Sequence, residues 1–215
     1  MKVFSNLAVS IDGKIATVDR SYFPLGTPED RRQMQVLRRE ADAIVNGAST
    51  LRTFKKPMSV KGAKKQPINA VVSSTLEGFS PAWPFFKDAS VPRVLFVSPR
   101  ASAKRLKLFE KSSEIEVLKP RAPTALQVIR ALEKRGVRSL LVEGGGGIMW
   151  DFVSEDLIDE YHVTVTPRLV GGKDAPTLVD GLGLKPRDVV NVRLVQSRVV
   201  GDELYLIYAK TGKRG

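Results

Sequence analysis

The sequence contains no cysteine and one histidine among its 215 residues. Without cysteine the chain forms no disulfide bond and has no thiolate nucleophile, iron–sulfur cluster or cysteine-ligated metal. A single histidine among scattered carboxylates also predicts that no transition metal is bound. Long apolar runs are lacking too: no stretch approaches the ~20 residues of a membrane helix, and residues 1–6 do not begin a signal peptide. These absences predict a cytoplasmic protein with no membrane partner.

Acidic residues are in the minority, with 23 Asp and Glu against 35 Lys and Arg and a formal net charge of +12. Six basic residues and no acidic residue lie from Arg52 to Lys65, and a second basic group lies within residues 100–111. This charge favours an anionic partner. Binding to single-stranded nucleic acid also needs a series of aromatic side chains for base stacking, and neither group is interleaved with one. We therefore predict no nucleic-acid partner. The alternative from a different functional class is a non-catalytic protein that binds nucleic acid through this charge.

The pattern of apolar residues predicts the fold class. A hydrophobic fraction of 42% over this length predicts one globular domain spanning residues 1–215. Strand-like runs alternate with helical patterns from residue 69 to residue 153, which is typical of a mainly parallel sheet covered on both faces. Residues 192–200 and 203–208 flank Gly201-Asp202, which predicts a hairpin. The predicted fold is α/β, with a mainly parallel central sheet flanked by helices and an antiparallel C-terminal hairpin.

Three local predictions concern the elements around this sheet. Residues 79–88 are rich in aromatic residues and proline and predict an irregular loop. Thr124 is predicted to cap a helix that Gly136 closes. A further helix is predicted to begin near Ile148.

Glu143 is followed by four consecutive glycines, residues 144–147, between the apolar runs 139–142 and 148–153. A strand, a glycine turn and a helix start place bare backbone N–H groups and the positive end of a helix at one point. Such a point suits the phosphates of a nucleotide. The run is not a P-loop, because no lysine follows it. A flexible turn is the simpler alternative.

Two earlier strands end in comparable residues. The first, over residues 2–9, is followed by Ser10 and Asp12, and the strand 43–45 is followed by a glycine and hydroxyl segment over 46–50. Open α/β sheets bind ligands at the carboxyl ends of their strands, so the strand-to-glycine junctions predict one nucleotide held between them. Since an Asp-Gly pair is also common in hairpins, plain turn chemistry is the alternative for Asp12.

Arg38 and His162 are singled out by their places on predicted elements. Arg38 lies beside the apolar stripe of a helix that Thr27 caps, from where it can reach the edge of a cleft. A solvated helical arginine is the simpler alternative. His162 falls on the polar side of a half-buried strand over residues 161–166, which predicts a surface or interface residue rather than a base.

Four segments carry a resemblance to one family: residues 8–14, 37–51, 142–146, and 157–160 with 167–172. In this order they resemble the reductase domain of riboflavin biosynthesis, which is the C-terminal part of the bifunctional deaminase-reductase and also exists as a stand-alone protein. The resemblance implies a dihydrofolate-reductase-like fold, a homodimer, and NADPH-dependent reduction of the ribosyl chain of a ribosylamino-pyrimidine 5-phosphate to a ribityl chain. The zinc-deaminase signature, H-x-E with P-C-x-x-C, is absent, which predicts a stand-alone reductase.

The resemblance also implies site residues. Those implied to bind the cofactor are Ala8, Gly47, Ser49, Thr50, Gly144, Gly145, Gly146, Gly147 and Ile148. Those implied to bind the substrate are Ser10, Asp12, Arg38 and Glu143. A bidentate contact to the sugar phosphate suits Arg38. Asp12 and Glu143 are the catalytic candidates, for substrate hydrogen bonding or for proton supply.

One segment departs from the family pattern. The acidic D-D-P-x-L motif is replaced here by residues 53–58, which carry Lys55 and Lys56 instead of two acids. The lysines are candidates for holding the 2′-phosphate of NADPH or an anionic substrate, and a solvated loop is the alternative. The departure leaves a second function open, a related reductase that acts on another pterin-like or carbonyl substrate.

Overall fold

The computed structural model describes residues 1–120 and 124–212, and one sheet of nine strands organises them. The strands are β1 Lys2–Ser10, β2 Ala43–Gly47, β3 Ile68–Ser73, β4 Arg93–Val97, β5 Glu114–Val117, β6 Ser139–Val142, β7 Glu160–Thr166, β8 Val192–Val200 and β9 Glu203–Lys210. The helices are α1 Pro28–Glu40, α2 Ala48–Phe54, α3 Pro84–Lys87, α4 Ala103–Lys107, α5 Thr124–Glu133 and α6 Gly146–Val153, with a 3₁₀ turn at Pro186–Asp188.

The strand order is β5-β4-β3-β2-β6-β1-β7-β9-β8. Strands β1 to β7 are parallel, whereas β9 pairs antiparallel with β7 and β8 pairs antiparallel with β9. This arrangement confirms the predicted fold class. Strand β6 lies between β1 and β2, so the chain leaves the adjacent ends of β2 and β6 in opposite directions. A crevice therefore opens at the carboxyl ends of these two strands, where open sheets bind ligands.

Two apolar cores cover the two faces of the sheet. Helices α5 and α6 pack on one face, where Leu132, Met149 and Phe152 are fully or almost fully buried. Helices α1 to α4 cover the other face, where Leu37 and Leu51 pack against the strands. Each such side chain contributes about 1.5–3 kcal/mol when it is fully buried. Both cores converge on the central strands and hold their carboxyl ends in a fixed register.

The predicted aromatic loop over residues 79–88 is wrong in part, because residues 84–87 form α3. Pro84 stands at the first helical position, which its fixed φ suits. Phe85 and Phe86 are both buried, and the ring of Phe86 lies 4.6 Å from that of Phe109. Burial of two consecutive aromatic side chains against a distant third is a tertiary effect that local composition does not indicate.

The predicted surface position of His162 is also wrong. His162, Thr164 and Thr166 are buried, whereas the alternate valines of β7 are only half-buried. His162 contacts the edge of Phe4 on β1 at 6.3 Å and hydrogen-bonds the carboxylate of Glu160 on its own strand at 2.6 Å. Polarity along a strand therefore does not by itself identify the solvent side.

Two helix starts differ from prediction by small shifts. Thr124 is the first residue of α5 rather than its flanking cap, and the position before it lies outside the described residues. Gly136 follows the end of this helix with φ +79°, the left-handed conformation that ends helices. Helix α6 begins at Gly146, two residues before Ile148. The glycine turn thus supplies the first turn of α6 itself.

Candidate functional site

The glycine turn lies in the crevice between β6 and β2. Gly144 has φ +82°, its peptide bond to Gly145 is cis, and a Cβ on Gly144 would stand 2.9 Å from the Leu7 side chain. The Gly144 carbonyl accepts a 3.0 Å hydrogen bond from the Gly47 amide. The two predicted strand-to-glycine junctions are therefore in direct contact.

The start of α6 leaves backbone donors available. Thr50 accepts from the Gly145 amide at 3.1 Å, which fixes the turn without using the next amides. The first three amides of a helix have no acceptor within it. Across residues 1–120 and 124–212, no side chain or loop carbonyl accepts from Gly146, Gly147 or Ile148. With open space around Gly147, this cradle fits the diphosphate of a nucleotide.

The segment that packs against Gly146 has no counterpart in the predictions. A Cβ on Gly146 would overlap the Asp180 carboxylate and the Thr177 carbonyl, and the Asp180 amide donates to the Gly146 carbonyl at 3.1 Å. A cleft of about 770 Å³ lies beside this contact, and Trp150 and Arg20 are among the residues that line it. The segment lacks periodicity, so its sequence carried no signal of this contact.

The remaining predicted cofactor residues lie at two places. A Cβ on Gly47 would stand 3.0 Å from Ile148, so the start of α2 approaches α6 closely. Ser49 is exposed and accepts from Arg20 at 3.2 Å. Ala8 lies two residues before the end of β1, beside Thr164 of β7, and follows Leu7, whose side chain packs against Gly144. The structure therefore brings the turn, Gly47 and Ile148 together, with β1 next to them.

Arg38 and Glu143 form an ion pair between α1 and the end of β6. The Nε and Nη2 atoms of Arg38 donate to the two carboxylate oxygens of Glu143 at 2.6 and 2.7 Å. The two side chains are 13% and 8% exposed. Breaking a buried pair of this kind costs roughly 3–5 kcal/mol, because one charge stays buried without its partner. Among the described residues, Arg38 Nη1 donates to none.

Asp12 is held by three hydrogen bonds at the end of β1. It accepts from the Ser10 hydroxyl at 2.6 Å and from the amides of Val170 and Gly171 at 3.1 and 2.7 Å. These bonds, that of Ser10 foremost, lower the pKa of Asp12 to about 2. The carboxylate is therefore ionised at neutral pH. It ties the loop after β7 to β1, and this geometry suits an acceptor better than a proton donor.

Lys55 and Lys56 lie at the far end of α2 from Ser49 and Thr50. Lys55 adopts φ +55° and ends the helix, and its amide donates to Leu51. Its Nζ lies 5.8 Å from the centre of the Trp83 ring. These contacts place Lys55 on the face that carries α1, away from α6.

Sequence reasoning missed a buried polar group where α1 meets β7 and β9. Glu203 is 1% exposed and accepts from the Thr27 amide and hydroxyl at 2.8 and 2.6 Å. Tyr205 also donates to Glu203, at 2.5 Å. Burial raises the pKa of the nearby Asp30. Asp30 follows the predicted helix start at Thr27 and Glu203 lies in the predicted hairpin, and neither position indicates a buried acid.

The fold and the site define an α/β protein with a glycine turn at the switch point of its sheet. Residues 1–206 match the RibD C-terminal domain family, and the chain belongs to this family. Among residues 1–120 and 124–212, no helix is long and apolar enough to cross a membrane, and no three potential metal ligands are grouped.

Named relatives cover the chain almost completely. A 2,5-diamino-6-ribosylamino-4(3H)-pyrimidinone 5′-phosphate reductase from Methanothermobacter thermautotrophicus is 31% identical over 98% of both chains. A protein of the same name from Archaeoglobus fulgidus is 31% identical over 83% of this chain and 86% of its own. The fold is similar to the crystal structure of a pyrimidine reductase-like protein from Corynebacterium diphtheriae, with a TM-score of 0.84 and 19% identity over 99% of this chain and 92% of that one.

Proposed function

We propose that this chain is an NADPH-dependent reductase that converts the ribosyl chain of a ribosylamino-pyrimidine 5-phosphate to a ribityl chain in riboflavin biosynthesis. The observation that carries the proposal is the match to reductases named for this substrate, at 31% identity over 98% of both chains. We place it in the cytoplasm as one reductase domain over residues 1–215. A reductase of this family implies a nicotinamide cofactor.

The cofactor diphosphate would be held by backbone groups. The amides of Gly146, Gly147 and Ile148 offer donors at the positive end of α6, and Thr50 keeps the turn in place. Gly47 permits the close approach of the second junction. A bound reduced nicotinamide would supply the hydride, and the chain would supply orientation and electrostatics.

The substrate would bind on the α1 side of the same edge. Glu143 would accept hydrogen bonds from the substrate while Arg38 holds it in place, and the free Nη1 of Arg38 would reach the sugar phosphate. Ser10 and Asp12 would fix the loop beside the sugar chain. Lys55 lies on this face too, which supports an anionic substrate over the cofactor's 2′-phosphate as its partner.

The edge strand β8 supports the homodimer that the family resemblance implies. Val192, Leu194, Val195 and Val199 are exposed on it, Val199 by 71%. An exposed apolar edge strand invites pairing with another chain. We propose that two copies meet at this edge. Leu194→Lys with Val199→Lys should give a monomer in light scattering, and an unchanged mass would refute the placement.

The direct test is oxidation of NADPH with the ribosylamino-pyrimidine phosphate, which is offered in its deaminated form and in its form before deamination. NADH serves as the cofactor control. Turnover with either pyrimidine establishes the reaction, and the preferred form shows whether deamination comes first. Absence of NADPH binding would refute the site at the glycine turn.

A second function, reduction of another pterin-like or carbonyl substrate, is favoured by one observation. Residues 53–58 carry two lysines where the family pattern has two acids. NADPH binding without turnover of either pyrimidine phosphate would favour this function, which a panel of carbonyl substrates would then test.

A further inference from the structure

Neither predicted catalytic carboxylate is arranged to give a proton. The oxygens of Asp12 accept from Ser10, Val170 and Gly171, and its pKa is lowered to about 2. The two oxygens of Glu143 both accept from a guanidinium group. Reduction of a C=N or C=O bond adds a hydride to carbon and a proton to nitrogen or oxygen. A separate source of the proton is therefore needed on the substrate side of the sheet.

Asp30 lies on that side, in the first turn of α1. It precedes Arg38 by eight residues, with Met34 between them, so the three follow one another at the four-residue spacing of one helix face. Arg38 reaches from this face to Glu143. Asp30 thus shares its helix face with the ion pair of the candidate substrate site.

The strand register places Asp30 across β1 from Glu143. The Thr164 hydroxyl donates to Asp30, and Thr164 is the neighbour of Ala8 in the β1–β7 pairing. On its other side β1 pairs with β6, whose last residue precedes Glu143. Two strand spacings are about 10 Å, and Thr164 pairs further along β1 than Val142 does. The two carboxyl groups therefore lie on opposite sides of β1, on the face of the sheet that α1 covers.

The surroundings of Asp30 favour its protonated form. Burial is the main cause of its raised pKa, and the charge of Glu203 adds to it, while Thr164 and Arg31 act in the opposite direction. Glu203 itself accepts three hydrogen bonds from Thr27 and Tyr205.

Arg198 of β8 does not compensate the negative charge of an ionised Asp30. Arg198 stacks on the Tyr205 ring at 4.8 Å and pairs with Glu29 at 3.4 Å. Two neighbouring carboxyl groups in a buried place do not both ionise readily. Asp30 is the member whose pKa is raised.

We propose that Asp30 is the general acid of the reduction, a role that rests on the proposed function. As the substrate carbon gains the hydride from the reduced nicotinamide, the electron pair of its C=N bond moves to nitrogen. The nitrogen takes the Asp30 proton, the double bond becomes a single bond, and Asp30 is left as a carboxylate that water protonates again. With an open-chain aldehyde the oxygen takes the proton in the same way.

The first test compares Asp30→Asn with Glu29→Gln. Glu29 is the adjacent acid of the same turn and pairs at the surface with Arg32 and Arg198, so it matches the charge change without facing β7. A general acid contributes about 10²–10⁴-fold to rate. We expect Asp30→Asn to lower kcat by at least ~10²-fold with KM changed by less than about threefold, and Glu29→Gln to behave as wild type.

The pH profile separates a chemical role from a structural one. Wild-type kcat should fall as pH rises through the Asp30 pKa, and the residual kcat of Asp30→Asn should not show that fall. If Asp30→Asn keeps wild-type kcat and pH profile while wild type turns over, the role of Asp30 is refuted and the proposed function stands. If Asp30→Asn loses only thermal stability, the role is refuted as well.

The second test needs neither cofactor nor turnover. Carboxyl-carbon NMR of the cofactor-free wild-type protein should show Asp30 titrating above the ordinary aspartate value of about 3.9. Titration at or below that value refutes the proposal even if Asp30→Asn does not fold. No turnover of wild type with either pyrimidine refutes the proposed function, whereas the NMR titration then still reports on Asp30 alone.

Discussion

The two sides of the carboxyl edge of the sheet offer different kinds of group to a ligand. On the α6 side the donors are backbone amides, and the side chains that would obstruct them are absent because the residues are glycines. On the α1 side the groups are charged side chains that already contact one another, as Arg38 contacts Glu143. A backbone site needs room and a helix end, whereas a side-chain site needs partners from distant segments. Substitutions on the α1 side should therefore change mainly turnover and stability, and substitutions on the α6 side mainly cofactor affinity.

The largest expected effect is on the side-chain side, at Glu143→Gln. This change leaves the buried Arg38 guanidinium without its counter-charge, which costs roughly 3–5 kcal/mol of folding free energy. Turnover should fall far more than NADPH affinity, since the proposed function assigns Glu143 to the substrate. Thermal unfolding, kcat and the cofactor Kd measure the three quantities. Equal losses in kcat and cofactor affinity would contradict a substrate-side role.

Arg39→Ala is the matched control for this change. Arg39 is the next residue of α1, is exposed, and its side chain donates only to the Lys61 carbonyl among the described residues. Its loss should change Tm and kcat little. A comparable loss in this variant would mean that α1 is sensitive to any change of charge and that the ion pair is not special.

On the α6 side, Gly146→Ala and Gly147→Ala should separate an effect on folding stability from an effect on cofactor binding. A Cβ at Gly146 overlaps Asp180 and Thr177, which should cost about 1–3 kcal/mol of stability. A Cβ at Gly147 meets nothing within 4 Å, so stability should hold or rise slightly. That Cβ points into the open space of the cradle, so cofactor affinity should fall by roughly tenfold, about 1.4 kcal/mol. Unchanged affinity in Gly147→Ala would remove the diphosphate from this turn.

This contrast also explains how much the sequence could predict. Glycines, strand ends and the Thr27-Pro28 helix start are local signals, and they predicted the parallel sheet, the hairpin and the turn. The partners of the charged side chains are not local. Arg38 and Glu143 are 105 residues apart, and Thr27 and Glu203 are 176 apart. No spacing rule indicates that two such residues meet.

The failures at His162 and at residues 84–87 have the same cause. Phe86 of the predicted irregular loop is buried against Phe109, and His162 of the predicted surface or interface position is buried against Phe4. Local propensity is overridden there by tertiary packing. The missed Asp30 belongs to this class, because its neighbours Thr164 and Glu203 come from strands near the end of the chain.

We expect a moderate, pH-dependent effect on thermal stability when Asp12 is substituted. Its folded pKa of about 2 lies below the ordinary value near 3.9, so its contribution is complete above that value and is lost as pH falls toward 2. Asp12→Asn should therefore lower Tm at neutral pH, and the difference from wild type should close between about pH 4 and pH 2. A difference that persists at pH 2 would mean that the carboxylate charge is not what holds Val170 and Gly171.

The smallest expected effect is that of Lys55→Ala with Lys56→Ala. It distinguishes whether these lysines bind the substrate or the cofactor. Both lie at the end of α2 that is distant from Thr50, and Lys55 faces Trp83 on the α1 side. Exposed charges contribute little individually, so KM for the phosphorylated substrate should rise by only a few-fold. The preference for NADPH over NADH should stay the same. A narrowed preference would instead assign the lysines to the cofactor's 2′-phosphate.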